Sequence, residues 1–178
     1  MTGSTLHDSA AVQESVRQFL DEAGINWELG RRAGELIITL PGEKKLTTVC
    51  SLVVGPQSLS ISAFVVRNPD ENHEAVYAHL LRRNLRLPGL AYGIDKSGDV
   101  YVTGRVPLQG VDAAYLDQIF GVVLEATDGA FNELLAMGFL ESMKKEWAWR
   151  NSRGESTRNL DAFRHLLETP PEGPTTSP

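Results

Sequence analysis

Four short β-type runs follow one another between residues 26 and 66, and this series constrains the fold more than any other feature of the chain. The runs are Asn26–Leu29, Glu35–Leu40, Leu46–Val54 and Ser58–Val66. Turn-forming residues separate them, namely the glycine-bounded segment 30–34, the tripeptide 41–43 and the tripeptide 55–57. Consecutive strands joined in this way pair most simply as antiparallel hairpins. The last run alternates apolar residues with serines, which is typical of a strand with one buried face.

Helices are predicted on both sides of this series. Before it, apolar residues recur at helical spacing from Val12 to Leu20, and Gly24 stands where a left-handed C-terminal cap would be, which predicts a helix over 9–23. After it, residues 68–71 have the composition of a helix start, with a capping asparagine, a proline and two acidic residues. This predicts a second helix from there to about Leu85.

A further hairpin and a long helix are predicted in the second half of the chain. The runs Leu90–Ile94 and Val100–Val106 flank a polar link that contains glycine. A broad apolar stripe that begins near Asp112 predicts a third helix. If this helix continues unbroken to residue 137, it is about 39 Å long. Part of a helix of that length would face another chain. Gly121 and Gly129 leave the alternative of a break.

The chain is therefore predicted to be an α+β protein with the order α-β-β-β(-β)-α-β-β-α and a twisted, mainly antiparallel sheet packed with helices. At 178 residues one domain is the default, and we place it at 9–140. A flexible N-terminus (1–8) precedes it. A helical extension (141–168) follows, with a linker near 151–156. Four prolines in the last ten residues predict a disordered, proline-rich tail (169–178).

Composition excludes several classes of protein. A single cysteine, Cys50, rules out a disulfide framework and a four-thiolate zinc site. The net charge of −6, all of it within residues 1–140, opposes general binding to nucleic acid or to an anionic membrane. The sequence has no secretory signal at its start and no stretch of about 18 apolar residues. We therefore expect a cytoplasmic protein that binds neither nucleic acid nor membranes.

A search for chemistry-bearing patterns predicts no catalytic, cofactor-binding or metal-binding residue. The histidines are badly spaced, since His73 and His79 would lie about 120° apart around a helix and could not share one ion. The sequence contains neither a phosphate-binding loop nor a nucleophile elbow. Cys50 shares a strand face with Leu52 and Val54, which favours a buried, unreactive thiol. The chain is thus predicted not to be an enzyme.

Basic and aromatic side chains are candidates for partner binding, each with a structural alternative. Three arginines at the end of the second helix complement the helix dipole, whether or not an acidic partner binds there. Trp147 and Trp149 lie beside lysine and arginine, and they either pack on the domain or form an aromatic docking patch. The candidate set is Arg67, Arg82, Arg83, Arg86, Tyr92, Trp147 and Trp149.

Two segments are candidates for a contact between copies of the chain, because they carry apolar residues on more than one face. One is the third helix, through Leu116, Phe120, Val123 and Phe131. The other is the Leu90–Val106 hairpin. A heterologous partner that covers the same surface is the alternative.

Particular stretches of the chain resemble the YbjN-domain family of actinobacteria. They are residues 64–77, 80–84, 90–95 and 98–102, and the resemblance covers about 9–140. It implies a fold similar to that of type III secretion chaperones, usually dimeric, and it supplies no catalytic residues. It also implies a mode of action, because secretion chaperones hold extended segments of client proteins on apolar patches. YbjN proteins themselves are described as sensory-transduction or stress regulators.

We therefore expect a non-enzymatic, chaperone- or adaptor-like protein-binding module without a cofactor. Its expected partners are a second copy of itself, as a homodimer, and an unidentified protein client; regulation of stress or sensory transduction is a further expectation. Two alternatives stay open. One is a structural dimer that acts through residues 141–178. The other is a small-ligand-binding protein or enzyme whose site is assembled from dispersed residues, such as Arg67, Arg82, Tyr92, Tyr101 and Arg105.

Overall fold

The computed structural model describes residues 9–168, which form a six-stranded sheet and six α-helices. The helices are α1 (Ser9–Glu22), α2 (His73–Asn84), α3 (Ala113–Leu124), α4 (Phe131–Gly138), α5 (Leu140–Arg153) and α6 (Arg164–Leu167). The strands are β1 (Asn26–Leu29), β2 (Glu35–Pro41), β3 (Thr47–Val54), β4 (Ser58–Val66), β5 (Ala91–Ile94) and β6 (Val100–Pro107). The segments predicted to be flexible or disordered, 1–8 and 169–178, lie outside the described residues.

The sheet has the strand order β1-β2-β3-β4-β6-β5, and every neighbouring pair is antiparallel. The first four strands pair as consecutive hairpins, as the turn residues predict. The β5–β6 hairpin joins the sheet through β6, so that β5 becomes an edge strand. The predicted α+β fold with a mainly antiparallel sheet is confirmed.

One face of the sheet forms the core together with the helices. Alternate strand residues such as Leu36, Leu52 and Ile61 are at most 1% exposed and pack in the same cluster as Val16 of α1. Each such side chain stabilises the fold by about 1.5–3 kcal/mol relative to an exposed one. Cys50 belongs to this layer, and burial raises the pKa of its thiol to about 12. The prediction that Cys50 is buried is therefore confirmed.

The second helix begins later than the sequence predicts, at His73 rather than within 68–71. The backbone N–H groups of Asp70 and Glu71 donate to the carbonyl oxygen of Gly138, at 2.9 and 3.2 Å. The chain before α2 is thus held by the end of α4 and not by helical hydrogen bonds. Local capping chemistry is present here, but a tertiary contact determines where the helix starts.

The predicted long third helix is interrupted. A π-helical turn at Glu125–Gly129 separates α3 from α4, at one of the two glycines that the sequence marks as candidates for a break. Inside the core the hydroxyl oxygens of Thr127 and Thr48 lie 3.0 Å apart, which attaches this turn to β3. Among the described residues the third helix is therefore not the unbroken helix that was expected to extend to another chain.

The C-terminal extension is helical and packs around a small second core. Helix α5 continues into the segment predicted as a linker and ends at Arg153. The next residue, Gly154, caps it with a φ of 67°, the left-handed conformation of a C-terminal cap. The buried residues of the second core are Met143, Leu160, Phe163 and Leu167. Leu135 of α4 packs against them, so the extension is attached to the domain.

Candidate functional site

The three arginines at the end of α2 differ in their surroundings. Arg82 and Arg86 are exposed, and neither forms an ion pair within residues 9–168. The guanidinium of Arg83 is half-buried and contacts the carboxylates of Glu125 at 3.1 Å and Glu133 at 3.6 Å. Arg83 therefore joins α2 to the π-helical turn and to α4 through ion pairs within the chain.

Tyr92 is a packing residue in the described structure. Its side chain is buried, and its hydroxyl donates to the carbonyl oxygen of Ala126 at 2.7 Å. Its backbone N–H donates to the side-chain oxygen of Asn84, also at 2.7 Å. Burial raises the pKa of the Tyr92 phenol. These contacts connect β5 to the π-helical turn and to α2.

The two tryptophans of α5 have different environments. Trp147 is half-buried against the second core, with the Arg164 guanidinium 5.7 Å from its ring centroid. Trp149 is 48% exposed and lies beneath the guanidinium of Arg153, at 4.7 Å. The structure thus does not bring these rings together in one aromatic patch.

The residues of the third helix that were predicted to contact a second copy lie mostly inside the chain. Leu116, Phe120 and Val123 are at most 4% exposed and belong to the main core. A second copy could reach them only if α3 separated from the sheet. Phe131, at the start of α4, is half-buried. The contact between copies stays a prediction, and the Leu90–Val106 hairpin is the segment with accessible apolar surface.

An exposed apolar surface lies where α2 meets the edge strand β5. Leu81, Leu85 and Ile94 are 66%, 88% and 52% exposed. Leu85 follows Leu81 by four residues and so lies on the same side of the helix. Between α2 and β5 is a hollow of about 210 Å³, lined by Tyr77, Leu80, Leu81, Tyr92, Gly93 and Ile94. We call Leu81, Leu85, Gly93 and Ile94 the β5 edge patch.

A larger hollow, of about 470 Å³, lies between the end of β4, α4 and the C-terminal extension. We call it the Lys45 pocket, because the Lys45 side chain lines it together with the rings of Phe64, Phe131, Phe139 and Phe163. Burial lowers the pKa of Lys45 to about 8, although Asp128 favours its charge. No sequence pattern marks this lysine as a site residue, because a lysine in a polar hairpin turn is normally solvated.

Arg67 lies at the same pocket, and its charge is already balanced. The guanidinium stacks over the ring of Phe139 at 4.5 Å and makes a two-point contact with the carboxylate of Asp70. This pairing lowers the pKa of Asp70, and a hydrogen bond from Ser142 lowers it further. Arg67 therefore secures the junction between β4, α4 and α5.

The family is identified from the part of the chain that contains most of the site residues described above. Residues 13–136 match the family YbjN, described as "Putative bacterial sensory transduction regulator". The chain belongs to the YbjN family. The match includes the β5 edge patch and Lys45, whereas α5 and α6 of this YbjN protein lie beyond it.

Mycobacterial relatives support the same assignment. An uncharacterized protein of Mycobacterium tuberculosis is 47% identical over 162 residues, which cover 89% of this chain and 88% of the relative. An uncharacterized protein of Mycobacterium leprae is 49% identical over 138 residues, 78% of this chain and 75% of the relative. The predicted resemblance to actinobacterial YbjN proteins is confirmed.

Solved structures share the fold of this YbjN domain at low sequence identity. A chain of the ExsC–ExsE complex superposes with a TM-score of 0.54 and 16% identity, covering 71% of this chain and 95% of the other. The HopA1–SchA chaperone–effector complex gives 0.52 and 16%, with coverages of 71% and 98%. YbjN of E. coli gives 0.52 and 15%, with coverages of 70% and 91%. The predicted secretion-chaperone-like fold is confirmed.

The YbjN domain does not bring the dispersed residues of the small-ligand alternative together. Arg67 lines the Lys45 pocket, Tyr92 lines the hollow beside β5, and Tyr101 lines a shallow hollow across β4, β6 and β5. Arg105 bonds the hydroxyl of Ser60 on the outer face of the sheet. Within the described part of the chain, no group of three or more metal-ligating side chains forms. No helix among residues 9–168 is long and apolar enough to span a membrane.

Proposed function

We propose that this chain is a non-enzymatic, chaperone- or adaptor-like protein-binding module that acts as a cytoplasmic homodimer. Two structures that share its fold support this proposal, since one is described as a chaperone–effector complex and the other as the ExsC–ExsE complex. The family description supports a regulatory role in sensory transduction.

The observation that carries this proposal is the β5 edge patch. An edge strand presents backbone N–H and C=O groups that monomers usually protect. In β5 the Asn84 side chain bonds the backbone N–H and C=O of Tyr92, so the strand offers a partner mainly the apolar side chains beside it. Here the exposed side chains beside the edge are Leu81, Leu85 and Ile94. Contiguous exposed apolar surface of this kind is typical of protein interaction sites.

We place the second copy of the chain on this patch. Two copies related by a two-fold axis can pack their β5 edge patches against each other through side chains, with the Asn84–Tyr92 hydrogen bonds of each copy kept. Leu81 and Ile94 of each copy then lose their exposure to water. This contact uses the Leu90–Val106 hairpin, one of the two segments predicted from the sequence. Arg82 and Arg86 lie at the rim, and we assign them to acidic side chains of the client.

Size-exclusion chromatography with light scattering tests the homodimer. The wild-type chain should give about 39 kDa, twice its mass of 19.5 kDa. Leu81→Asp combined with Ile94→Asp should give the monomer mass, because burying unpaired carboxylates is costly. Leu46→Asp is the matched control, since Leu46 is 85% exposed in the β2–β3 hairpin outside the patch. A monomeric wild type, or a double variant that stays dimeric, would overturn this placement.

A capture experiment tests the client. Tagged wild-type chain is compared in its host lysate with Arg82→Glu combined with Arg86→Glu, and bound proteins are identified by mass spectrometry. The charge-reversed variant should lose a client that the wild type retains, whereas Arg31→Glu, an exposed control outside the patch, should keep it. Equal recovery by all three would contradict the acidic-client assignment. No client from any of them, together with a monomeric wild type, would contradict the proposed function.

A further inference from the structure

Lys45 carries a half-buried ammonium group that forms no ion pair with a carboxylate in the described part of the chain. Its Nζ donates to the backbone oxygens of Phe64 and Val65, at 2.5 and 3.0 Å, and lies 4.9 Å from the Phe64 ring centroid. Asp128 favours the charge of this group but forms no ion pair with it among residues 9–168, and one oxygen of its carboxylate accepts the backbone N–H groups of Lys44 and Lys45. Among residues 9–168, one N–H of the ammonium therefore has no acceptor and no carboxylate lies within 4.0 Å of it.

The pocket exists because β3 and β4 separate at this end of the sheet. Their pairing stops at Cys50 and Ala63, while β3 continues beside β2 to Thr47. Strand β4 continues beside β6 with a register shift between Phe64 and Val66. The Lys45 side chain and the hollow beside it occupy the space that further β3–β4 pairing would fill.

The walls of the pocket are apolar and come from both cores of the chain. Helix α4 and the residue after it supply Phe131, Leu135 and Phe139, and the extension supplies Met143, Leu160 and Phe163. The volume of about 470 Å³ is in the range of small-molecule sites in proteins, which is roughly 300–1,000 Å³. An apolar molecule of moderate size therefore has a matching surface here.

The other charged side chains at the pocket have partners. Arg67 pairs with Asp70, and Glu146 accepts from Arg150 at 2.8 Å and from Asn159 at 3.2 Å. Considering residues 9–168, Lys45 is therefore the one charge lining the pocket that lacks an opposite charge in contact. A pocket with mainly apolar walls and one cation that lacks an ion-pair partner favours a ligand with one negative charge and an apolar body, because a dianion would leave one charge unpaired.

We propose that the Lys45 pocket binds a small hydrophobic monocarboxylate, whose carboxylate accepts the remaining N–H of Lys45 and whose apolar body lies between the phenylalanine rings and the second core. This site is distinct from the β5 edge patch and independent of the proposed function. Asp128 from the π-helical turn is the charge that acts on the ammonium, and the other charged residues that line the pocket are Arg67 after β4 and Glu146 from α5. A bound carboxylate would give the Lys45 ammonium the ion pair that neither Asp128 nor Glu146 provides.

Calorimetric titration with octanoate, and with 1-octanol as the neutral probe, tests the proposal on the full chain. Octanoate should bind the wild type, and Lys45→Met should weaken binding by about 10- to 100-fold, the factor that one hydrogen bond to a charged group contributes. Octanol should bind both proteins equally. Lys44→Met is the matched control and should bind octanoate like the wild type, because the Lys44 ammonium bonds Gly129 outside the pocket.

A second measurement keeps the test decisive if Lys45→Met does not fold. The pKa of Lys45 in the wild type can be followed by NMR of its labelled Cε, and octanoate should raise it, because a bound carboxylate favours the charged amine. An unchanged pKa at millimolar octanoate would overturn the proposal. Equal octanoate affinity for wild type and Lys45→Met, or no binding to the wild type, would also overturn it. None of these results depends on the oligomeric state, so failure here is distinguishable from failure of the proposed function.

Discussion

The carboxylate of Asp128 accepts the backbone N–H of Lys45 at 2.7 Å, although the two residues are 83 positions apart in the sequence. The same oxygen accepts the N–H of Lys44 at 2.8 Å, so the π-helical turn caps the β2–β3 hairpin. Burial alone would raise the pKa of Asp128, but the backbone N–H groups of residues 43–45 lower it below its usual value. This contact positions the hairpin from which Lys45 enters its pocket.

Asp128→Ala should lower the free energy of unfolding by about 1–3 kcal/mol, because the hairpin N–H groups lose a charged acceptor. Urea denaturation at pH 7 measures this change. Asp117→Ala is the control, since Asp117 is exposed on α3, and it should change stability by less than about 0.5 kcal/mol. Equal stabilities of the two variants would show that the cap contributes little.

Glu35 should make stability depend on pH in the acid range. Hydrogen bonds from the Arg32 side chain, the Ser51 hydroxyl and the Arg32 backbone lower the pKa of Glu35 from 4.5 to about 2. A lowered folded-state pKa stabilises the protein above the unfolded value, and this stabilisation is lost as the pH falls from 4.5 towards 2. Glu35→Gln should therefore be less stable than wild type at pH 7, and the difference should narrow across that window.

Urea denaturation at a series of pH values measures the Glu35 effect. Glu28→Gln is the control, because Glu28 is exposed on β1 and has no described hydrogen-bond partner. This control should follow the wild-type pH profile. A Glu35→Gln profile parallel to that of the wild type between pH 4.5 and 2 would contradict the pKa shift.

Tyr92→Phe should destabilise the chain by about 1–3 kcal/mol, because the buried carbonyl oxygen of Ala126 loses the phenol donor. Tyr101→Phe removes a hydroxyl with no described hydrogen bond and should have a smaller effect. Thermal unfolding by circular dichroism compares the two variants. If both lose the same stability, the bond between β5 and the π-helical turn is not a significant anchor.

Trp147→Ala and Trp149→Ala should have different effects on amide hydrogen exchange, because Trp147 packs on the second core and Trp149 lies at the surface. Trp147 packs on the second core, and its loss should expose α5 and the segment after it to faster amide hydrogen exchange. Trp149 is 48% exposed, and its replacement should leave exchange in the second core unchanged. The same exchange pattern in both variants would contradict these two roles.

The predictable parts of the fold are those in which local and tertiary preferences agree. The run 58–66 has the alternation of a strand with one buried face, and β4 has these bounds. Residues 68–71 have good capping chemistry, yet Asp70 and Glu71 bind Gly138 and the helix starts at His73. A capping pattern reflects only local preferences, whereas the start of α2 also depends on distant backbone carbonyl groups, such as that of Gly138, that accept hydrogen bonds from this segment.

The candidate sites were less predictable for a related reason. The apolar stripe of Leu116, Phe120 and Val123 has the same spacing whether it packs on the chain's own sheet or on a second copy. Arg82 and Arg83 are adjacent in the sequence, but only Arg83 faces the acidic residues of α4 and the π-helical turn. The sequence marks such side chains as candidates without distinguishing among them.

The sequence by itself determined the element order, the antiparallel pairing of the first four strands and the family, because these depend on turn residues, side-chain periodicity and motifs that are local. Only the tertiary structure decided that β5 is an edge beside exposed Leu81, that the third helix is interrupted, and that Lys45 enters an apolar pocket. Each of these features depends on contacts between residues far apart in the chain. Local sequence patterns do not encode which distant groups will desolvate one another.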